Sequence, residues 1–216
     1  MNILLSIENI IDILGAKEVF KKLYYLYQDL IYEKDVIKNK SLKDAYKNQR
    51  CFIFGTGVSL NDINLSLLAG EYTFGCNYLY AHKNFEELNI DFFTVVAPVR
   101  KFNYGNHYDT PLSYYKDINN SCKNKDTTFF FSCDNKNYFN SNALFQNRKV
   151  HYVKLKIPSK DSELLENDLS KRTTMYCGVL GFMISAAIYM GFKELYLCGT
   201  GYTYQPILEY FFYGTK

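Results

Sequence analysis

Two hydrophobic rhythms divide the chain. Residues 3–32 carry apolar side chains at helical spacing: Ile3, Ile7, Ile10, Ile11 and Leu14, then Phe20, Leu23, Tyr24, Tyr27 and Ile31, with Gly15 between the two sets. This predicts an amphipathic helical pair that packs on the domain or on another subunit, with an interfacial membrane helix as the alternative. Glu8, Asp12 and Lys17 make the segment too polar for a membrane span. It lacks the basic start and small-residue cleavage site of a signal peptide. Residues 33–49 are lysine-rich and predict an exposed helix or linker.

From Arg50 the rhythm becomes strand and helix in alternation. Apolar runs at 51–54, 71–76, 91–96, 127–132, 149–156 and 194–198 have strand length and composition. Residues 175–190 are almost wholly apolar and predict a buried core helix, too short for a span. Residues 100–125, rich in Tyr, Asn and Asp, read as irregular, and 158–171 as a polar connection. The alternation predicts an α/β fold: a Rossmann-like, doubly wound, mostly parallel sheet with helices on both faces, preceded by an N-terminal helical segment. The expected division is 1–49 for the helical segment and linker and 50–216 for the Rossmann-like domain. At 216 residues, one domain with a short appendage is the natural size.

Composition narrows the chemistry. A formal charge of +3, with no basic block interleaved with aromatics, argues against a nucleic-acid partner. The six cysteines form no C-x-x-C pair and mostly sit in apolar runs, as small buried hydrophobes in a reducing cytoplasm do. His82, His107 and His151 have no spacing that suggests a metal site, so no metal is expected.

The stretch with most chemical content is Cys51-Phe-Ile-Phe-Gly-Thr-Gly-Val-Ser59. A strand is followed by glycines around Thr56. Ser59 then opens a run at helical spacing through Leu60, Ile63, Leu67 and Leu68. Such a turn serves either as a tight structural connection or as an anion-binding loop with backbone N–H groups and a helix N-terminus. It is neither G-x-G-x-x-G, since position 60 is Leu, nor a P-loop. In a parallel sheet the ligand lies beyond the carboxyl ends of the strands. That rule selects Gly55–Ser59, Asn77, Ala97-Pro98 and Gly199-Thr-Gly-Tyr202.

Three motifs in order resemble known families: Arg50-Cys-Phe-Ile-Phe-Gly-Thr-Gly-Val-Ser-Leu60, Glu71-Tyr-Thr-Phe-Gly-Cys-Asn77 and Tyr189-Met-Gly-Phe-Lys-Glu-Leu-Tyr-Leu-Cys-Gly199. The chain resembles the bacterial CMP-sialic-acid-dependent sialyltransferases of glycosyltransferase family 42 over about residues 50–205. It resembles equally a set of surface-polysaccharide proteins labelled 6-hydroxymethylpterin pyrophosphokinase-like, related to the motility-accessory-factor transferases.

The resemblance to the sialyltransferases implies a metal-independent glycosyltransferase of bacterial surface-glycan biosynthesis (lipopolysaccharide, capsule or flagellin), with no tightly bound cofactor and a CMP-linked nonulosonic acid as favoured donor. Its partners would be the nucleotide sugar and a glycan acceptor. Its setting would be cytoplasmic, with a peripheral inner-membrane or subunit contact through residues 3–32 and a homo-oligomer as candidates. Carried over by position, Gly55, Thr56, Gly57 and Ser59 would meet phosphate and ribose, with Val58 replacing a proline, and Asn77 would meet the cytidine nucleotide. The second glycine loop, Gly199 and Thr200, stands where the family usually carries an acidic residue. Arg172, Tyr202 and Tyr204 would assist the departing phosphate. No histidine matches the family's general base, which lies downstream of this motif. The chain is then truncated, uses another base, or is a non-catalytic binding or scaffold module. Pyrophosphoryl transfer to a pterin is a further alternative, but it requires Mg²⁺ carboxylates that the predicted strand ends lack beyond Asp62.

Overall fold

The computed structural model describes residues 16–97, 112–156, 167–175 and 178–201. Seven strands form one sheet: β1 Arg50–Phe54, β2 Tyr72–Cys76, β3 Phe92–Val95, β4 Thr128–Ser132, β5 Lys149–Lys156, β6 Arg172–Thr174 and β7 Glu194–Cys198. Their spatial order is β6-β5-β4-β3-β2-β1-β7, and every neighbouring pair is parallel. The four α-helices described are α1 Ala16–Val36, α2 Leu112–Ser121, α3 Lys136–Ser141 and α4 Gly178–Tyr189. This is the α/β architecture that the strand–helix alternation predicts.

A parallel sheet covered on both faces needs strands that are apolar on both sides. In β4, Phe129, Phe130 and Phe131 are all fully buried. Because side chains alternate faces, Phe129 and Phe131 enter one core with α2 and α3, through Tyr115, Ile118, Phe139 and Phe145. Phe130 enters the other, with Phe74, Val153 and the α4 residues Phe182, Met183 and Ala186. The almost uniformly apolar sequence of α4 is accounted for by this burial.

Three segments differ from the sequence expectation. The 100–125 stretch, read as irregular, contains α2, which buries Tyr114, Tyr115 and Ile118. The segment after β1 is not one helix: it forms two short 3₁₀ turns, Val58–Asp62 and Leu65–Leu68. Residues 33–49, expected as an exposed helix or linker, complete α1 and a 3₁₀ turn, Ile37–Leu42, and bury Val36, Asn39 and Leu42. Tyr46 stacks on Phe192 at 5.1 Å and meets Tyr72 and Phe92 edge-on.

Asn39 ties this segment down. Its amide nitrogen donates to the carbonyls of Tyr152 and Leu169 at 2.9 and 2.8 Å. Its oxygen must therefore accept from Nδ1–H of His151, 2.8 Å away, which fixes the histidine tautomer. Burial, assisted by the Lys38 charge, lowers the His151 pKa from 6.5. The unfolded chain then binds the extra proton first. The stability from neutral His151 is full above about pH 6.5 and falls as pH drops from there through the folded pKa. Urea unfolding at pH 7 and pH 5 should show that loss, and His151→Gln should remove its share of the slope.

Candidate functional site

Seven parallel strands bring their carboxyl ends to one edge. Gly55–Ser59 follows β1, Asn77 follows β2, Val96-Ala97 follows β3, Cys133-Asp134-Asn135 follows β4, and Gly199-Thr200-Gly201 follows β7. Strands are added outward from β1 to β6, and the chain then returns to place β7 on the other side of β1. The reversal between β1 and β7 is the topological switch point where open sheets of this type leave a crevice. Gly55, Thr56, Gly57, Ser59, Asn77, Gly199 and Thr200 thus share three adjacent strand ends, on β7, β1 and β2.

The two glycine loops meet backbone to backbone. Gly55 N–H donates to the Cys198 carbonyl at 2.8 Å, and Gly57 N–H donates to the Gly199 carbonyl at 2.7 Å. A Cβ on Gly55 or Gly57 would lie 2.5 or 2.6 Å from the Gly199 oxygen, closer than atoms pack. Gly57 has φ −71°, a value any residue adopts. Close approach, not positive φ, is therefore what Gly57 supplies. Gly199 does sit at φ +62°, where a side chain is strained. The amides of Gly55 and Gly57 are thus engaged inside the fold. The following segment is a 3₁₀ turn of five residues where the sequence suggested the start of a helix, which favours the structural of the two readings of this turn.

What the edge offers instead is side chains. Thr56 and Thr200 are half-buried, Ser59 is exposed, and Asn77 is half-buried with φ +50°, a conformation Asn tolerates better than most residues. Three hydroxyls and one amide both donate and accept, which suits ribose, base or phosphate oxygens. Behind them the buried Cys76 thiol donates to the Phe54 carbonyl at 3.6 Å, joining the ends of β2 and β1. Burial pushes that thiol up to about 12, so it stays protonated.

Two residues at this edge were not singled out from the sequence. Asn135 is fully buried and donates to the Ala97 carbonyl at 3.0 Å, bridging the ends of β4 and β3. Asp134 accepts from Gln28 Nε2 of α1 at 2.8 Å. The available signal was polar residues directly after an apolar strand, as in Cys76-Asn77. Pro98, Tyr202 and Tyr204 lie outside the described residues.

Arg172 stands elsewhere. It opens β6, five strand spacings from β1, which is about 24 Å at the usual interstrand distance. Its guanidinium donates to the Tyr25 carbonyl at 2.8 Å, to Asp29 at 2.9 Å and to Gln28 Oε1 at 2.5 Å, and it lies 4.1 Å from the Tyr25 ring centre. Beside it Lys154, nearly inaccessible, pairs with Asp29 at 2.8 Å and Glu33 at 2.9 Å. Burial opposes the Lys154 charge, but the two carboxylates outweigh it and raise the ammonium pKa. This group clamps α1 to β5 and β6.

Among the described residues, no group of three or more His, Cys, Asp or Glu side chains is placed to hold a metal ion. No helix among them is long and apolar enough to cross a membrane.

No protein-family model matches the chain, and no curated protein matches it. Among solved structures it is similar to the MAf glycosyltransferase from Magnetospirillum magneticum AMB-1, with a TM-score of 0.38 and 15% sequence identity. The match covers 77% of this chain and 27% of that one, so the chain spans about a quarter of its length.

Proposed function

We propose that the edge formed by Thr56, Ser59, Asn77 and Thr200 binds the nucleotide of a sugar donor, and that the protein serves glycosyl transfer in bacterial surface-glycan synthesis. The observation that supports this reading is that these four polar residues follow three adjacent strands, β7, β1 and β2, at the edge where the strand order reverses. The motif resemblance favours a CMP-linked nonulosonic acid as donor, with a glycan as acceptor and a cytoplasmic setting at the inner membrane. In such a reaction the acceptor hydroxyl attacks the anomeric carbon, its proton passes to a base, and the bond to the nucleotide phosphate breaks. Hydroxyl and amide groups around the phosphate would stabilise the charge it gains on leaving. Tyr202, directly after Gly201 in sequence, and Tyr204, two residues further on, are the candidates for that task.

Calorimetric titration with CMP, UDP and GDP tests the reading. CMP should bind at submillimolar to millimolar concentration and weaken about tenfold in Asn77→Ala, the loss of one good hydrogen-bonding partner. No binding of any of the three at millimolar concentration would sink it.

The engagement of Arg172 with α1 favours a second reading, a non-catalytic nucleotide-binding or scaffold module of the same fold. Arg172→Ala separates the roles. As a clamp, its loss should cost about 2 kcal/mol and raise amide exchange in residues 19–36, with nucleotide affinity unchanged. A tenfold loss of CMP affinity with α1 still protected would instead place the guanidinium at the phosphate.

A further inference from the structure

Helix α1 is amphipathic in an inverted sense. Its inward face is largely polar, with Tyr32 and Val36 as its buried apolar residues: Gln28 reaches Asp134 and Arg172, Asp29 and Glu33 meet Lys154, and Asp35 meets Lys136. Its outward face is apolar. Val19, Phe20, Leu23, Leu26, Tyr27, Leu30 and Ile31 are all between 52% and 75% exposed. A helix that only covered its own domain would turn these residues inward.

The spacing and area of the stripe identify its partner. Val19, Leu23, Leu26 and Leu30 follow one another at spacings of four, three and four residues, the seam by which one helix packs along another. Seven large apolar side chains, each more than half exposed along one helix, make a contiguous patch larger than a monomer usually leaves bare. Over its whole length the helix carries no cationic excess of the kind that draws a helix to anionic lipid, since Lys17, Lys21, Lys22 and Lys34 are matched by Glu18, Asp29, Glu33 and Asp35.

We propose that α1 pairs with α1 of a second copy of this chain, through Val19, Leu23, Leu26 and Leu30, to form a two-fold dimer. A single self-complementary stripe is what an isologous interface requires, since the same patch serves both subunits. The dimer leaves the β1–β7 edge of each copy open, because α1 is clamped at the opposite end of the sheet, on β5 and β6.

Sedimentation equilibrium of the full chain from micromolar to submillimolar concentration tests the pairing. The expected result is a monomer–dimer equilibrium, shifted to monomer by Leu23→Glu/Leu30→Glu. Leu30→Ala is the second variant. At 75% exposure Leu30 contributes little to the monomer's own core, so the fold should survive while the dissociation constant rises at least tenfold. A wild-type chain that stays monomeric throughout would overturn the proposal, including one whose stripe is covered by its own residues 3–14. A dimer unmoved by Leu30→Ala would overturn it too. So would a monomer that co-sediments with phosphatidylglycerol vesicles through Leu23 and Leu30, which would assign the stripe to a membrane surface.

Discussion

Gly57→Ala is expected to lower the free energy of unfolding by about 3 kcal/mol, at the high end for an overpacked site. The backbone at Gly57 already has a φ open to alanine, so conformational strain contributes nothing. The cost comes from the methyl group, which would stand 2.6 Å from the Gly199 oxygen that Gly57 N–H now bonds. Either the loops separate, and the hydrogen bond is lost, or β7 shifts along β1. Both outcomes displace Thr200 from Thr56, so CMP affinity should fall with stability. Gly70→Ala is the opposite control. Gly70 has φ +85° with open space around its Cβ position, so alanine there should cost only about 1 kcal/mol of backbone strain and leave affinity intact. Urea unfolding of both variants checks the comparison. A loss below about 1 kcal/mol for Gly57→Ala would mean that the two loops yield easily.

Phe131→Ala should cost more, about 4 kcal/mol, the range for an aromatic ring removed from a tight core. Phe131 is fully buried, with the Phe139 and Phe145 rings each 4.7 Å away and the Phe129 ring stacked at 5.8 Å. These neighbours belong to β4, α3 and the turn after it, so the resulting cavity cannot close without moving three elements. Phe131→Leu keeps most of the volume and should lose less than about 1.5 kcal/mol. Equilibrium unfolding of the pair separates the cavity from the simple loss of apolar surface. Equal costs for Ala and Leu would contradict the packing described.

The legible parts of the fold were those with an unambiguous period. β5 and β7 have the residue bounds that the sequence suggests, β1, β2 and β4 differ by a residue at one end, and β3 is a residue shorter at each end. Each is a short apolar run between polar turns, and burial on both faces requires that pattern. Helix α2 was not legible. Ser, Asn and Tyr give its sequence a low intrinsic helix tendency, and the contacts of Tyr114, Tyr115 and Ile118 outweigh it. Strand β6 is three residues long and becomes a strand through pairing of Arg172, Thr173 and Thr174 with Lys154, Leu155 and Lys156. No local signal could have found it.

The candidate site divides along the same line. Alternating strand and helix segments place the residues after each strand at one edge, so the sequence by itself determined that Gly55–Ser59, Asn77 and Gly199-Thr200 share that edge, and the order β2-β1-β7 then made them neighbours. What the glycines do there was decided only in three dimensions. A G-x-G turn reads alike whether its amides face a ligand or another loop. The pairing of β1 with β7 turned those of Gly55 and Gly57 toward Cys198 and Gly199. The place of Arg172 was likewise a tertiary matter. The family resemblance implied a group near the phosphate, whereas sheet order put it five strands away, held by Gln28, Asp29 and Tyr25. Periodicity records which side chains are buried. It does not record which partner a polar group finds, because that depends on strand order and on loops far apart in the chain.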